Sequence, residues 1–209
     1  MTSLDEEQPP VLARPSALKS LIPIALAGMF MVTGILVLVY LGRDTARLLN
    51  APLDDIELVP LVDADHVPPM SEMKGQIIVM HFWGTWCPPC REEFPQYVQL
   101  FNAYKGQPKV KFLTVSCSPG PEDNLDKLKE ETIQFMHARE LRIPNYADPA
   151  MYTRGRIAKM LSSGGFQYPM TLIVDNKGIV REFWLGQLSD TMKQVDEAVK
   201  IQLAEYNQQ

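Results

Sequence analysis

The cysteines Cys87 and Cys90 lie where an uninterrupted apolar run meets a segment with helical spacing. The run Ile77 to Trp83 predicts a buried strand, and the helical pattern begins at about Pro88, which puts Cys87 at a helix N-terminus. Free backbone amides and the helix dipole stabilise an anion there, and they lower a thiol pKa from about 8.5 toward 7 or below. Cys90, one turn further on, is expected to be more buried and less ionised. The junction therefore predicts a strand-to-helix unit that carries a reactive dithiol.

Two other uses of the cysteine pair fit the sequence less well. A structural zinc site takes four Cys or His ligands, but there is no second Cys-x-x-Cys pair, and His66, His81 and His137 are scattered. A purely structural disulfide has little reason to lie between Trp86 and two prolines at the start of a helix. Cys-x-x-Cys beside a strand-and-helix unit is typical of a redox dithiol. We therefore predict thiol-disulfide exchange and no metal.

The overall charge narrows the range of partners. The chain of 209 residues has a net charge of −5, and no cluster of Lys or Arg appears in it. Because phosphate binding needs such clusters, we predict no nucleic-acid partner. Three cysteines are too few for a disulfide-dense scaffold, whereas 46% hydrophobic residues are enough for a buried core.

Strand and helix patterns alternate along the rest of the chain. Strand-like apolar runs occur at Ile56 to Val62, Ile77 to Trp83, Val110 to Val115, Met170 to Val174 and Ile179 to Trp184. Helical spacing occurs from about Pro88 to Gly106, Glu122 to Leu141, Met151 to Leu161 and Ser189 to Tyr206, with Ser189 as the predicted N-cap of the last helix. A hairpin turn at Asp175 to Gly178 joins the last two strands. Parallel pairing with an antiparallel edge predicts a mixed α/β sandwich.

The N-terminal segment divides by composition. Residues 21–41 contain no charged side chain, and about 20 apolar residues are what a helix needs to cross a hydrocarbon core of about 30 Å. We predict a cytoplasmic tail at 1–20, a transmembrane helix at 21–41, a linker at 42–55 and one domain at 56–209. A cleaved signal peptide is the alternative, but its apolar region is usually shorter, about 7 to 15 residues. Basic residues are balanced across the span, so charge alone does not set its orientation.

The segment FWGTWCPPCREEFP, residues 82–95, resembles the active site of the thioredoxin superfamily, and more closely that of the membrane-anchored TlpA/ResA-like thiol-disulfide oxidoreductases. The segment YPMTLIVD, residues 168–175, is similar to the one in which these proteins hold a cis-proline opposite the disulfide. The resemblance extends from about residue 56 to the C-terminus. It implies a thioredoxin-like three-layer sandwich, in which helices flank a mixed sheet, with a single N-terminal transmembrane helix and no cofactor.

The resemblance implies roles for three residues of the first segment. Cys87 corresponds to the nucleophile and Cys90 to the resolving thiol of a redox-active disulfide. Glu93 matches an acidic residue near the cysteines, where a carboxylate could move protons or raise the thiol pKa. The alternative for Glu93 is a solvated charge in the first turns of the helix, favoured by the dipole.

Three further residues are expected to bind substrate. Pro169 shapes the groove that receives a substrate strand, the backbone of Tyr168 can pair with that strand, and Trp86 can cover the dithiol. Ordinary packing is the alternative for Tyr168. His81 takes the strand position where thioredoxin carries an aspartate, and we expect a neutral, hydrogen-bonded core histidine, with proton relay as the alternative. We expect Cys117 to be a buried bystander, since free cysteines pack as small apolar groups.

The resemblance implies disulfide exchange with a client protein. Pro88 and Pro89 supply no cation between the cysteines, which favours a reductase over a strong oxidant. The expected partners are a disulfide-bearing client and a membrane dithiol donor, and the domain is expected on the periplasmic or extracytoplasmic side, where disulfides persist. Apocytochromes, copper-site proteins and misoxidised envelope proteins would offer the same disulfide, so the client stays open.

Two functions of other classes remain as alternatives. A peroxiredoxin-like thiol peroxidase shares the fold, but its Thr-x-x-Cys pattern is not met, because Thr85 lies two positions before Cys87. A non-catalytic module that binds copper or an apoprotein through the dithiol is the second alternative.

Overall fold

The computed structural model describes residues 26–37, 47–67, 69–120, 124–161, 165–186 and 189–208. The chain separates into two compact units, Met1–Gly42 and Arg43–Gln209. All the strands and four of the five helices named below belong to the second unit.

The first unit is described only at residues 26–37, which form a helix, α1, with exposed side chains. Among the described residues, no helix is both long enough and apolar enough to cross a membrane. The predicted tail at 1–20 and both ends of the predicted span, 21–25 and 38–41, lie outside the described residues.

One six-stranded sheet forms the centre of the second unit. Its elements are β1 (Val59–Val62), β2 (Ile77–Trp83), α2 (Pro88–Tyr104), β3 (Val110–Ser116), α3 (Leu125–His137), β4 (Asn145–Ala147), α4 (Tyr152–Met160), β5 (Met170–Val174), β6 (Val180–Leu185) and α5 (Thr191–Tyr206). The strand order is β1-β4-β3-β2-β5-β6. β2, β3 and β4 run parallel, whereas β1, β5 and β6 pair antiparallel with their neighbours. The mixed sheet and the closing hairpin confirm the predicted topology.

The strand β2 lies in the middle of the sheet, and all seven of its residues are buried. Its side chains alternate between two cores: one contains Ile77, Val79 and Trp83, and the other contains Ile78, Met80 and Phe82. Helices α2 and α5, with the end of α3, cover the first core, and α4 with the segments before β2 covers the second. A strand covered on both faces needs apolar side chains at every position, which explains the uninterrupted run. This arrangement confirms the three-layer sandwich.

Some element boundaries differ from the predicted ones. β4, Asn145–Ala147, was not predicted, because three residues carry too little alternation to identify a strand. α3 ends at His137 and not near residue 141, and Glu140 beyond it takes a left-handed φ of 54°. The N-cap of α5 is Asp190, without a side-chain bond, in place of the predicted Ser189.

The segment predicted as a linker, residues 42–55, packs on the domain from residue 47 onward. Leu48 is fully buried and Leu53 is 2% exposed. The backbone amide of Asn50 donates to the carbonyl oxygen of Val180 at 2.8 Å, beside the start of β6. This part of the segment therefore contributes to the second core.

Candidate active site

The cysteines Cys87 and Cys90 form a disulfide at the N-terminus of α2, with a Cα–Cα distance of 5.3 Å. Cys87 is the N-cap residue, and its Sγ accepts a hydrogen bond from the Cys90 amide at 3.3 Å. Pro88 and Pro89 occupy the first two helical positions and have no amide hydrogen. The Cys90 amide is therefore the donor in the first turn that stabilises negative charge on Cys87.

The two cysteines differ in exposure. Cys87 is 4% exposed, whereas Cys90 is fully buried. The expected burial order is therefore found. A reaction partner therefore reaches Cys87 more readily than Cys90.

Trp86 lies beside the disulfide with 40% of its surface exposed. Its indole Nε1 donates to the carbonyl oxygen of Cys117 at 2.8 Å. A Cβ atom at Gly84 would overlap the indole and would come within 2.8 Å of the same carbonyl oxygen. Glycine at position 84 is therefore what lets the tryptophan fold back onto the end of β3.

The bond between Tyr168 and Pro169 is cis, as the resemblance implies. The rings of Tyr168 and Trp86 meet edge to face, with centroids 5.2 Å apart. Tyr168 also packs against the core that contains Cys87 and Cys90. The tertiary structure thus brings Tyr168 into contact with Trp86 and with the core that contains the disulfide.

Glu93 follows Cys90 by three residues on α2, and only 3% of it is exposed. The Thr191 side chain lies against the carboxylate. Burial raises the pKa of Glu93 to about 7, and the neighbouring Thr191 side chain offsets part of this effect. The solvated-charge alternative is therefore wrong, and the carboxyl can gain or lose a proton near neutral pH.

His81 is fully buried on β2. Its Nδ1 pairs with the Thr171 hydroxyl at 2.8 Å, and its ring stacks on Tyr97 with centroids 4.1 Å apart. Burial lowers the pKa of His81 to about 3, so the ring is neutral at physiological pH. This agrees with a neutral, hydrogen-bonded core histidine, although Nε2 is buried without a hydrogen-bond partner.

Cys117 is fully buried just after β3. It belongs to the second core, whereas Cys87 and Cys90 belong to the first core on the opposite face of the sheet. Its backbone amide donates to the carbonyl oxygen of Trp83 at 2.8 Å. Cys117 therefore holds Trp86 and the end of β2 through its backbone, and its thiol lies beside Tyr168 and Arg154.

Sequence reasoning did not identify Arg154 and Asp148, which lie behind Tyr168. Arg154 is fully buried, and its Nε pairs with Asp148 Oδ2 at 2.9 Å. Its Nη1 donates to the Tyr168 hydroxyl at 2.7 Å. A single arginine in a polar helical stretch carries no local signal of burial, because its partners come from other elements.

The chain is similar to known thiol-disulfide oxidoreductases. The AhpC/TSA family model matches residues 54–183. Sporulation thiol-disulfide oxidoreductase A of Bacillus subtilis (strain 168) is 27% identical over 116 residues, which are 56% of this chain and 63% of that protein. Thiol-disulfide oxidoreductase ResA of Geobacillus thermodenitrificans is 27% identical over 163 residues, 77% of this chain and 83% of that protein.

The fold has a counterpart among solved structures. A thiol:disulfide interchange protein of the thioredoxin family from Chlorobium tepidum superposes with a TM-score of 0.51 at 21% identity, over 71% of this chain and 99% of that chain. The fold is therefore thioredoxin-like. The match to the Bacillus subtilis sporulation protein spans less than two thirds of that relative's length.

Proposed function

The chain belongs to the AhpC/TSA family, and we propose that it is a membrane-tethered thiol-disulfide oxidoreductase that reduces disulfides in extracytoplasmic proteins. The observation that carries this proposal is the Cys87–Cys90 disulfide at the N-terminus of α2, with the amide of Cys90 directed at Cys87 Sγ. A thiolate is the attacking species in disulfide exchange, and this is the position in a helix where an anion is most stable.

The reaction consists of two exchanges. The Cys87 thiolate attacks a client disulfide, so that the client S–S bond breaks, a mixed disulfide forms and one client sulfur leaves as a thiolate. The Cys90 thiolate then attacks Cys87 Sγ, which releases the second client thiol and forms the Cys87–Cys90 bond. Two electrons pass from the protein to the client. A dithiol donor in the membrane returns them.

Glu93 is proposed to accept the Cys90 proton during the second exchange. It lies one helical turn after Cys90, and side chains three residues apart share one face of a helix. With a pKa of about 7, the carboxyl is present in both protonation states near neutral pH. A buried thiol needs such an acceptor, because bulk water does not reach it.

The reducing direction is proposed from the residues between the cysteines. Pro88 and Pro89 carry no positive charge and remove two amide donors from the first turn. Both effects limit the stabilisation of the Cys87 thiolate in the reduced protein. In the strongest thiol-disulfide oxidants the reduced form is highly stabilised, so these two prolines favour a reductase. A tether at residues 21–41 would hold the domain near a membrane donor, on the side where client disulfides persist. Apocytochromes and metal-site proteins are clients of suitable chemistry.

Trapping with Cys90→Ala in the full-length chain tests the exchange reaction. Without the resolving thiol, mixed disulfides should accumulate through Cys87 and should disappear on treatment with dithiothreitol. The matched control, Cys87→Ala, should trap none. A non-catalytic copper or apoprotein module would instead lose affinity in both variants without forming covalent adducts, which would refute the proposal.

The reduction potential tests the direction. A value near −120 mV, that of a strong oxidant, would exclude a reductase.

A thiol peroxidase is the alternative reaction for the same dithiol. The Thr85 hydroxyl contacts Glu131 Oε2 at 3.5 Å, and the Arg154 guanidinium is bound to Asp148 and Tyr168. The threonine that precedes Cys87 therefore contacts Glu131, and the buried Arg154 is already engaged by Asp148 and Tyr168. Stoichiometric consumption of hydrogen peroxide by the reduced protein would favour the peroxidase.

A further inference from the structure

The guanidinium of Arg154 is held firmly inside the domain. Its Nε pairs with Asp148 Oδ2 at 2.9 Å, and both side chains are fully buried. The same carboxylate accepts the backbone amides of Thr153 and Arg154 at 2.8 and 2.9 Å, as a capping residue does at the start of a helix. Asp148 therefore fixes both the first turn of α4 and the direction of the arginine.

The Nη1 group of this guanidinium connects two other parts of the fold. Nη1 donates to the carbonyl oxygen of Ser118 at 3.2 Å and to the Tyr168 hydroxyl at 2.7 Å. Ser118 follows β3, and Tyr168 precedes the cis-proline Pro169 and β5. Arg154 thus connects a helix, the end of a central strand and the segment that enters the active site.

The aromatic rings of Trp86 and Tyr168 are anchored at the carbonyl groups of adjacent residues. Trp86 is held by the Cys117 carbonyl oxygen, and Tyr168 is held through Arg154 by the carbonyl oxygen of the next residue, Ser118. The two rings meet edge to face, with their centroids 5.2 Å apart. The spacing of the rings therefore follows from one short stretch of backbone after β3.

Stability alone does not account for a buried ion pair at this place. Apolar side chains of similar volume often replace a buried ion pair with equal or greater stability. What apolar residues cannot supply is a rigid set of donors in fixed directions, and Arg154 uses such donors on Asp148, Ser118 and Tyr168. The network is suited to fixing the orientation of Tyr168.

We propose that Arg154 is a positioning residue for client recognition, which orients Tyr168 so that an extended client segment can bind beside cis-Pro169 and Trp86. The inference rests on the proposed disulfide exchange and adds how the protein selects its substrate: polypeptide disulfides are favoured over small disulfides that do not fill the groove. Arg154 has no part in the exchange between Cys87 and a disulfide.

Tyr168→Phe in the full-length chain tests this inference, because it keeps the ring and removes the hydroxyl that Arg154 holds and that the Cys117 side chain also contacts. The assay compares reduction of insulin with reduction of hydroxyethyl disulfide, both with dithiothreitol as the electron donor. Loss of a hydrogen bond to a charged group should raise KM for insulin about tenfold, with kcat nearly unchanged. The preference for insulin over hydroxyethyl disulfide, measured as the ratio of the two kcat/KM values, should fall about tenfold. The potential of the Cys87–Cys90 pair should not change.

Two further variants complete the test. Tyr104→Phe is the matched control, since it also removes a tyrosine hydroxyl that binds a charged side chain. The Tyr104 hydroxyl donates to Asp196 at 2.6 Å, away from Trp86 and Tyr168. It should keep the wild-type KM for insulin. Arg154→Lys keeps the positive charge but loses the planar guanidinium with its fixed donor directions. It should therefore raise KM for insulin as Tyr168→Phe does.

The outcomes separate the two proposals. If Tyr168→Phe has the wild-type KM for insulin, if it changes the potential, or if it lowers kcat/KM equally for insulin and hydroxyethyl disulfide, Arg154 does not act through client recognition. If the wild-type chain reduces hydroxyethyl disulfide but not insulin, the exchange reaction stands and the recognition proposal is wrong. If it reduces neither, both proposals are wrong.

Discussion

Replacing Glu93 by glutamine should change how the stability of the fold depends on pH. Burial raises the pKa of Glu93 from 4.5 to about 7, so the folded protein keeps a proton between these values that the unfolded chain has lost. A carboxyl whose pKa is raised in the folded state favours folding below its unfolded pKa. The contribution of Glu93 is therefore complete below pH 4.5 and is lost as the pH rises through about 7.

The size of this effect follows from the pKa difference. One pKa unit corresponds to about 1.4 kcal/mol. The interval from 4.5 to about 7 gives a loss of ~3 kcal/mol in the free energy of unfolding that is due to Glu93 alone. Glutamine has almost the same shape and no charge, so the variant should not show this loss.

His81 changes stability in the opposite direction. Burial lowers its pKa from 6.5 to about 3, so its contribution is complete above pH 6.5 and is lost as the pH falls through about 3. The two slopes oppose each other between pH 4.5 and 6.5. The informative quantity is therefore the difference between Glu93→Gln and the wild type, in which the contribution of His81 cancels.

Urea unfolding of the full-length chain, followed by tryptophan fluorescence with the disulfide intact, measures this difference at about pH 4.5, 5.5, 6.5 and 7.5. The variant should gain ~3 kcal/mol relative to the wild type between the lowest and the highest pH. Glu92→Gln is the matched control, because Glu92 is the exposed neighbour on the same helix, and the effect of Glu93 is the excess over this control. A constant difference for Glu93→Gln would mean that the pKa of Glu93 is not raised in the folded protein, and the reasoning from burial would fail.

Three other substitutions test packing, each by urea unfolding. Gly84→Ala should displace the Trp86 indole, which a Cβ atom would overlap, and should cost ~1–3 kcal/mol; an unchanged midpoint would show that the close approach has no cost. Asp148→Ala leaves the buried Arg154 without its carboxylate partner and should lower the free energy of unfolding by ~3–5 kcal/mol. A loss no larger than that for breaking an exposed ion pair would contradict a buried network. Leu48→Ala should cost ~2–5 kcal/mol, since Leu48 is fully buried; wild-type stability would mean that the segment is a free linker.

The predictions that agreed with the structure concern features that are set by residues close together in the sequence. The runs Ile77–Trp83 and Met170–Val174 form strands with the predicted bounds, because a strand covered on both faces shows as an unbroken apolar run. Cys87 is the helix N-cap, because capping is a relation between residues two or three positions apart. β4 lacked such a signal, and its three residues are stabilised by pairing with β1 and β3.

The amino-acid sequence by itself determined the site of the dithiol, the greater burial of Cys90 and the mixed α/β architecture, since spacing and periodicity act over one or two turns of chain. Only the tertiary structure decided that Glu93 is buried and that Arg154 holds Tyr168 from fourteen residues away. The physical reason is that desolvation and hydrogen-bond partners are set by whichever elements pack together. That packing is a property of the whole fold, and no local pattern encodes it.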